Sequence, residues 1–359
     1  MRRTPALIVG GGPAGAACAI RLARAGLPHL LVERSRETGD ALCGGFLSWR
    51  TLDRLATLGV EPEQLNRARL TRVRLFAGTR TVTARLPRPA LAVSRRRLDT
   101  LLLARAEAEG AAIERGVAVR GIDVTEARTA DGATITADTL FLASGKHDVR
   151  GLARPAEARG IDPTLGLRVR LPASPALTRL VAGAIELHLF EGGYAGLCLQ
   201  EDGSANLCMA VHRSRLTAAG DPAALIAALG RDLPPLGERL AHADLSASVD
   251  AIANVPYGWR AADGLAAVAR LGDQAGVIPS LAGEGMGIAI ASAISATSAY
   301  IRLRDVARWQ SAFARRLARP LAVAGAARRI AESRIAPVAL LAARPGLIDL
   351  VARLTRVQG

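Results

Sequence analysis

Lysine is almost absent from this chain. Of its 47 basic side chains one is a lysine, Lys146, and 46 are arginines. Aromatic residues are also scarce, at 3%. No RNA-binding signature, zinc-finger spacing or basic run with interleaved aromatics appears, which argues against a nucleic-acid face. The net charge of +15 is therefore read as a solvated basic surface, with no nucleic-acid partner. The four cysteines, Cys18, Cys43, Cys198 and Cys208, form no CxxC pair. That spacing argues against a zinc site or a thioredoxin-type motif and fits a reducing, cytoplasmic setting. No uninterrupted apolar run reaches the roughly 18 residues of a membrane span. The nearest, Ile335 to Leu354, is broken by Arg344, Pro345 and Asp349.

Half of the 359 residues are hydrophobic, enough for a substantial core and too many for disorder. The opening "MRRTPALIVGGGPAGAACAIRLA" imitates a signal peptide, but it reads better as strand, glycine turn and helix. Residues 6–9 predict a buried strand, 13–26 a helix ended by Gly26, and 29–33 a second buried strand. Such a β-α-β unit points to a parallel sheet. Helical patterns follow at 48–58 and 95–110, then short strands with a hairpin turn at Asp131-Gly132. Residues 165–211 read as antiparallel sheet, and Gly283 to Tyr300 as a small-residue helix. Residues 301–359 read as Arg-rich helix interrupted at Pro320, Pro337 and Pro345.

The expected fold is α/β: a discontinuous Rossmann-like cofactor domain with an inserted antiparallel-sheet substrate domain and a helical C-terminus. The boundaries expected are 1–71, 91–160 and 255–320 for the cofactor domain. Residues 72–90 and 161–254 would form the substrate domain, and 321–359 the C-terminal segment.

Two motifs carry chemistry. Gly10-Gly11-Gly12-Pro13-Ala14-Gly15 satisfies G-x-G-x-x-G between a strand and a helix, and Glu33 ends the next strand. Gly10 allows the tight turn, Gly12 lets the backbone approach a pyrophosphate, and Gly15 lets the helix pack closely. The helix N-terminus favours phosphate, and Glu33, followed by Arg34, can accept from an adenosine ribose. The second motif, "RLGDQAGVIPSLAGEGMG", starts at Arg270. Two nucleotide-linked motifs so far apart suggest one long ligand, which FAD fits better than NAD. Asp273 would take a ribityl hydroxyl, and the N–H groups around Gly285 and Met286 would face the flavin edge that becomes negative on reduction.

These motifs, with "SRRRLD" at 94–99, resemble the para-hydroxybenzoate-hydroxylase-like flavoproteins. "CGGFLS" at 43–48 and "GDQAG…GEG" are most similar to the geranylgeranyl-reductase branch, since the hydroxylases usually have His at the place of Gly276 and Gln at that of Glu284. The resemblance covers roughly residues 4–300. It implies that Arg95 contacts the ribityl-phosphate region and that Cys43, Gly44 and Gly45 lie near the isoalloxazine ring. The chain departs from the pattern in carrying Ser144-Gly145 for the usual Asp-Gly, and Gly196 for the reductases' Trp.

The resemblance further implies an FAD-dependent oxidoreductase whose flavin NAD(P)H reduces. The reaction expected is reduction of a C=C in an apolar small molecule; the alternative is monooxygenation of an aromatic or polyketide-like one. Cys43 and Tyr194 are candidate acids by placement alone. Gly145 would allow a close backbone approach, and Lys146, His147 and Arg150 would hold phosphates of FAD or NADPH. The arginines alternating with apolar residues after 301 suggest peripheral contact with an anionic membrane.

Overall fold

The computed structural model describes residues 2–243 and 249–358. In chain order the elements begin with β1 (Arg2–Val9), α1 (Pro13–Arg24), β2 (Leu30–Glu33), β3 (Phe46–Leu47), α2 (Trp49–Thr57) and α3 (Pro62–Leu65). Next come β4 (Leu70–Ala77), β5 (Arg80–Ala92), α4 (Arg95–Ala108), β6 (Ala112–Arg115), β7 (Val119–Asp123), β8 (Glu126–Thr129) and β9 (Thr134–Leu142). The middle holds β10 (Thr164–Leu171), α5 (Pro175–Val181), β11 (Ala184–Phe190), β12 (Gly193–Leu199), β13 (Ala205–His212), α6 (Arg213–Ala219), α7 (Pro222–Asp232) and α8 (Pro234–Leu240). The chain finishes with β14 (Asp250–Val255), β15 (Val268–Arg270), α9 (Gly285–Leu303), α10 (Ala307–Ala331), α11 (Ala336–Ala342) and α12 (Pro345–Leu354).

The first sheet runs β6-β2-β1-β9-β8-β7, with β15 also pairing β9. Its centre is parallel: β1 lies between β2 and β9, with Ile8 opposite Leu31 and Phe141. Ala6 to Val9 are buried because helices cover one face, while Ile122 of β7 and Ala127 of β8 pack with Leu7 and Val9 on the other. The predicted hairpin is present: Gly132 (φ +85°) turns β8 into antiparallel β9. α1 is buried at nine positions, mostly Ala and Gly, so it packs closely on α9 and α4.

The second sheet runs β14-β10-β13-β12-β11-β4-β5-β3. It is mixed rather than purely antiparallel, because β4 and β11 pair in parallel, Leu75 opposite Leu187. Strands of β4 and β11 come from segments a hundred residues apart, so no hairpin constrains their direction. Side chains alternate across it. On β11, Ile185, Leu187 and Leu189 face a cavity, while Glu186 and His188 turn the other way, towards Arg239 and Phe76. The face away from the cavity packs on α5, α7 and α8.

One expectation about the C-terminal half needs correction. Pro320 does not interrupt the helical run: α10 continues through it for 25 residues, with Pro320 buried among apolar neighbours that outweigh one missing N–H bond. At Pro337 and Pro345 the run is interrupted as expected, with each proline in the first turn of a new helix, α11 or α12, where no N–H is needed. Among the described residues one helix, α9, is long and apolar enough to cross a membrane; here it is mostly buried against α1, α2 and α10.

Candidate flavin and substrate site

The glycine loop follows directly from β1. Gly10 has φ +107°, and a Cβ there would lie 2.5 Å from the Ala143 carbonyl oxygen of β9's exit. A Cβ at Gly15 would lie 1.8 Å from the Gly10 oxygen, so α1 seats this close only with glycine. No side chain caps α1 at Gly12, and Pro13 takes the first helical position, where its missing N–H costs nothing. The N–H end of α1 is thus left for an anion. Ala14 touches the second motif: a Cβ at Gly272 would stand 3.4 Å from the Ala14 Cβ.

Glu33 is already engaged. Its Oε2 accepts from Gly11 N at 2.7 Å and its Oε1 from Ser35 N at 2.9 Å. These bonds fix the carboxylate beside the loop and leave further lone pairs for a ribose. Arg34 is exposed, 2.9 Å from the His147 ring nitrogen. Arg95 opens α4 and is held by Asp99 through bonds of 2.9 and 2.7 Å. Burial works against its charge, but Asp99 outweighs that and raises its pKa. Arg95 Nη2 lies 3.3 Å from where a Gly12 Cβ would be, so it abuts the loop.

The other assigned residues meet at one cavity of about 600 Å³. Cys43, Gly44, Gly45, Asp273, Gly285 and Met286 all line it, although more than 200 residues separate the two groups. A Cβ at Gly44, Gly145 or Gly285 would meet nothing within 4 Å, so these backbones border open space of the kind a flat ring system needs. Gly45 (φ +78°) is different: a Cβ there would strike the Val93 carbonyl at 2.8 Å. The loop is pinned by Asn206 Nδ2, which donates to the Cys43 carbonyl at 2.8 Å. The Cys43 sulfur accepts from Gly45 N at 3.5 Å.

Lys146 also lines this cavity, its Nζ 3.5 Å from Asp273 Oδ2. Asp273 raises its pKa, so it stays charged. Of the three residues expected to hold phosphates, Lys146 lines the cavity, while His147 and Arg150 lie outside it. Gln274 and Arg154 hold the carbonyls of Gly145, Lys146 and His147, which turns Lys146 inward. His147 is exposed beside Arg34, and Arg150 is exposed where its carbonyl accepts from Ile122 N at the β7 edge.

Tyr194 is buried on β12 and bonded to Ser280 Oγ at 2.6 Å. Tyr257 donates to the same Ser280 oxygen at 2.7 Å, and Leu281 N donates to Tyr194 Oη at 2.9 Å. Burial pushes the Tyr194 phenol well above 10. The three hydroxyls thus form one cluster at the cavity wall. The rest of the wall is largely Val, Leu, Ile and Ala, from β4 and β11 on one side and α10 to α12 on the other.

Sequence reasoning missed the chain's end. Arg356 donates to Glu284 Oε2 at 2.6 Å, and Val357 N to Glu284 Oε1 at 3.3 Å. Ser48 donates to the same carboxylate at 3.1 Å. Arg356 lies over the rings of Trp49 and Phe46. Glu284 immediately precedes α9, so the last turn of the chain braces the helix start assigned to the flavin. Only the oddity of a Glu before a small-residue helix hinted at it.

Residues 3–151 match the family model described as an FAD binding domain. Among curated proteins none matches the chain. Solved structures similar to it include a flavoprotein/dehydrogenase from Cytophaga hutchinsonii, 15% identical with a TM-score of 0.81, over 99% of this chain and 92% of that one. PqsL, a probable FAD-dependent monooxygenase from Pseudomonas aeruginosa, is 18% identical with a TM-score of 0.72, over 95% of this chain and 100% of its own. The halogenase PltM, solved with phloroglucinol and FAD, is 15% identical with a TM-score of 0.72, over 89% and 74%. At these identities the similarity is one of fold. The geranylgeranyl-reductase likeness finds no counterpart among these neighbours, which are named monooxygenases, halogenases and a dehydrogenase. The N-terminal segment is an FAD-binding domain, its cofactor is FAD, and the chain is an FAD-dependent oxidoreductase.

Proposed function

We propose that the chain is an FAD-dependent monooxygenase, its flavin reduced by NAD(P)H, acting on an apolar aromatic or polyketide-like small molecule. The observation that carries this reading is the cavity: largely apolar, about 600 Å³, and bordered at one end by the glycines assigned to the flavin. That volume lies within the range of small-molecule sites. The similar structures named as monooxygenase and halogenase support oxygen chemistry over reduction of an isolated C=C. The reductase reading is thus the weaker of the two.

Bound FAD supplies the electron transfer between NAD(P)H and the oxidant. The chain's own groups do the rest. The glycine loop and α1 hold the pyrophosphate, with Arg95 beside them. Asp273 accepts from a ribityl hydroxyl, and Lys146 balances its charge. The start of α9 favours negative charge on the ring. Arg356 neutralises Glu284 there, so the helix end keeps its positive field. The apolar walls exclude water, which strengthens each of these interactions. Tyr194, Ser280 and Tyr257 offer a hydroxyl cluster to an oxygen of the substrate.

The test is anaerobic reduction of the flavin by NADH or NADPH, followed by mixing with oxygenated buffer. A lag before the oxidised spectrum returns supports the monooxygenase. Immediate return with stoichiometric peroxide, together with saturation of an added polyprenyl alkene, overturns it in favour of the reductase.

A further inference from the structure

The helices that close the cavity are apolar on both sides. On α11, Ala336 and Leu340 are buried inward, while Val338 and Leu341 are 66% and 61% exposed. On α12, Ile348, Val351 and Ala352 line the cavity, while Leu347 and Leu350 are about half exposed, and Ile335 ahead of α11 is 60% exposed. Such an outer face is unusual for a helix pair that ends in water. Ile330 and Leu347 belong to both surfaces, lining the cavity and exposed, so the cavity mouth opens on this same face.

Arginines frame the face. Arg329, Arg334, Arg344 and Arg353 are all exposed, and residues 321–359 carry six arginines against two acids, Glu332 and Asp349. Arg328 and Arg353 pair with these acids, Arg334 with Glu191 and Arg356 with Glu284, which leaves Arg329 and Arg344 without an acidic partner among the described residues. Exposed apolar side chains with uncompensated cations close by in the chain match an anionic lipid surface, where the apolar residues enter the headgroup boundary and the arginines meet phosphates. A symmetric pair of chains fits less well, because it would bring two copies of the same basic surface together without added acids.

We propose that the outer face of α11 and α12 docks on an anionic bilayer, so that the cavity takes its apolar substrate directly from the lipid. The docking surface stands on exposure and charge; only the delivery of substrate rests on the monooxygenase reading above.

The test uses the FAD-loaded full chain and vesicles of phosphatidylcholine alone or mixed with phosphatidylglycerol. The variant Val338→Asn/Leu341→Asn/Leu350→Asn changes outer residues that do not line the cavity. The expected result is co-sedimentation with anionic vesicles at low salt, release by added salt, and a roughly tenfold fall in bound fraction for the variant. Equal binding to neutral and anionic vesicles overturns the proposal, as does unchanged binding of the variant. A dimer in the absence of vesicles that the variant dissolves assigns the face to a second copy and also overturns it. FAD content and NAD(P)H oxidation in solution, unchanged in the variant, establish that it is folded. Their absence in the parent chain counts against the enzymatic reading and not against docking.

Discussion

Glu284 and Arg356 are a buried ion pair whose side chains are 0% and 4% exposed. Removing one partner strands the other without water. Arg356→Met should therefore destabilise the protein by about 3–5 kcal/mol, read from urea unfolding followed by flavin fluorescence. An effect under about 1 kcal/mol would mean that the pair is more hydrated than its geometry indicates. At the glycine loop, Gly15→Val would force a branched side chain into the Gly10 carbonyl, and Gly12→Val would press on Arg95 and the pyrophosphate path. Both variants should purify without yellow colour, and full FAD content in either would refute the loop's assignment. Tyr194 has a different signature. Its phenol stays protonated well above pH 10, because burial disfavours the phenolate. It can donate a hydrogen bond at neutral pH and cannot serve as a base there. Tyr194→Phe should leave the pH profile unchanged and weaken an oxygen-bearing ligand about fivefold, the worth of one hydrogen bond.

At the scale of elements, the 39–45 loop depends on a clamp from the second sheet. Arg168 on β10 is buried and donates to Asp250 Oδ2 at 2.6 Å and to the Asp40 and Ala41 carbonyls at 2.6 and 3.0 Å. Burial by itself would raise the Asp40 pKa. The N–H of Arg96 and the guanidinium groups of Arg168 and Arg170 outweigh it, and the pKa ends below 3.8. A carboxylate held low contributes stability above its unfolded value and loses it as pH falls through the lower folded value. The loop should stay docked at about pH 5 and loosen only below about pH 3.8, visible as a change in Trp49 fluorescence. Loosening already near pH 6 would contradict this clamp. The sheet also sets the cavity's capacity. Gly196 on β12 lines the cavity, and a Cβ there meets only ordinary contact, 3.5 Å from Leu187. Gly196→Trp should fold, fill part of the cavity and weaken long apolar ligands at least tenfold while sparing FAD. Unchanged ligand affinity would place the substrate elsewhere.

Across the whole molecule, the cofactor joins segments that the chain order keeps apart. The glycine loop lies at the N-terminus, Arg95 opens α4, and Asp273 follows β15. Ligand that binds only the folded state adds about 2.7 kcal/mol of stability at a hundredfold excess over its Kd. Added FAD should raise the unfolding midpoint of the apoprotein and FMN should not, because Glu33 and α1 are placed for the adenosine half. FMN alone in the denatured extract would defeat the dinucleotide reading.

The sequence by itself determined the β-α-β start, the glycine loop with Glu33, the Asp273 segment and most strand positions. Each of these depends on local rules: hydrophobic period, a turn that only glycine fits, a helix end that wants an anion. The dinucleotide cofactor could be read for the same reason. What the tertiary structure decided is everything that depends on which distant segments touch. The parallel pairing of β4 with β11 joins segments more than a hundred residues apart, and α10 runs through Pro320 because the surrounding packing compensates one lost bond. The single lysine turns inward because Gln274 and Arg154 hold its neighbouring carbonyls, which no local pattern encodes. Arg356 finds Glu284 across 72 residues of chain, a contact that only the packing of the chain's last turn beside α9 brings about.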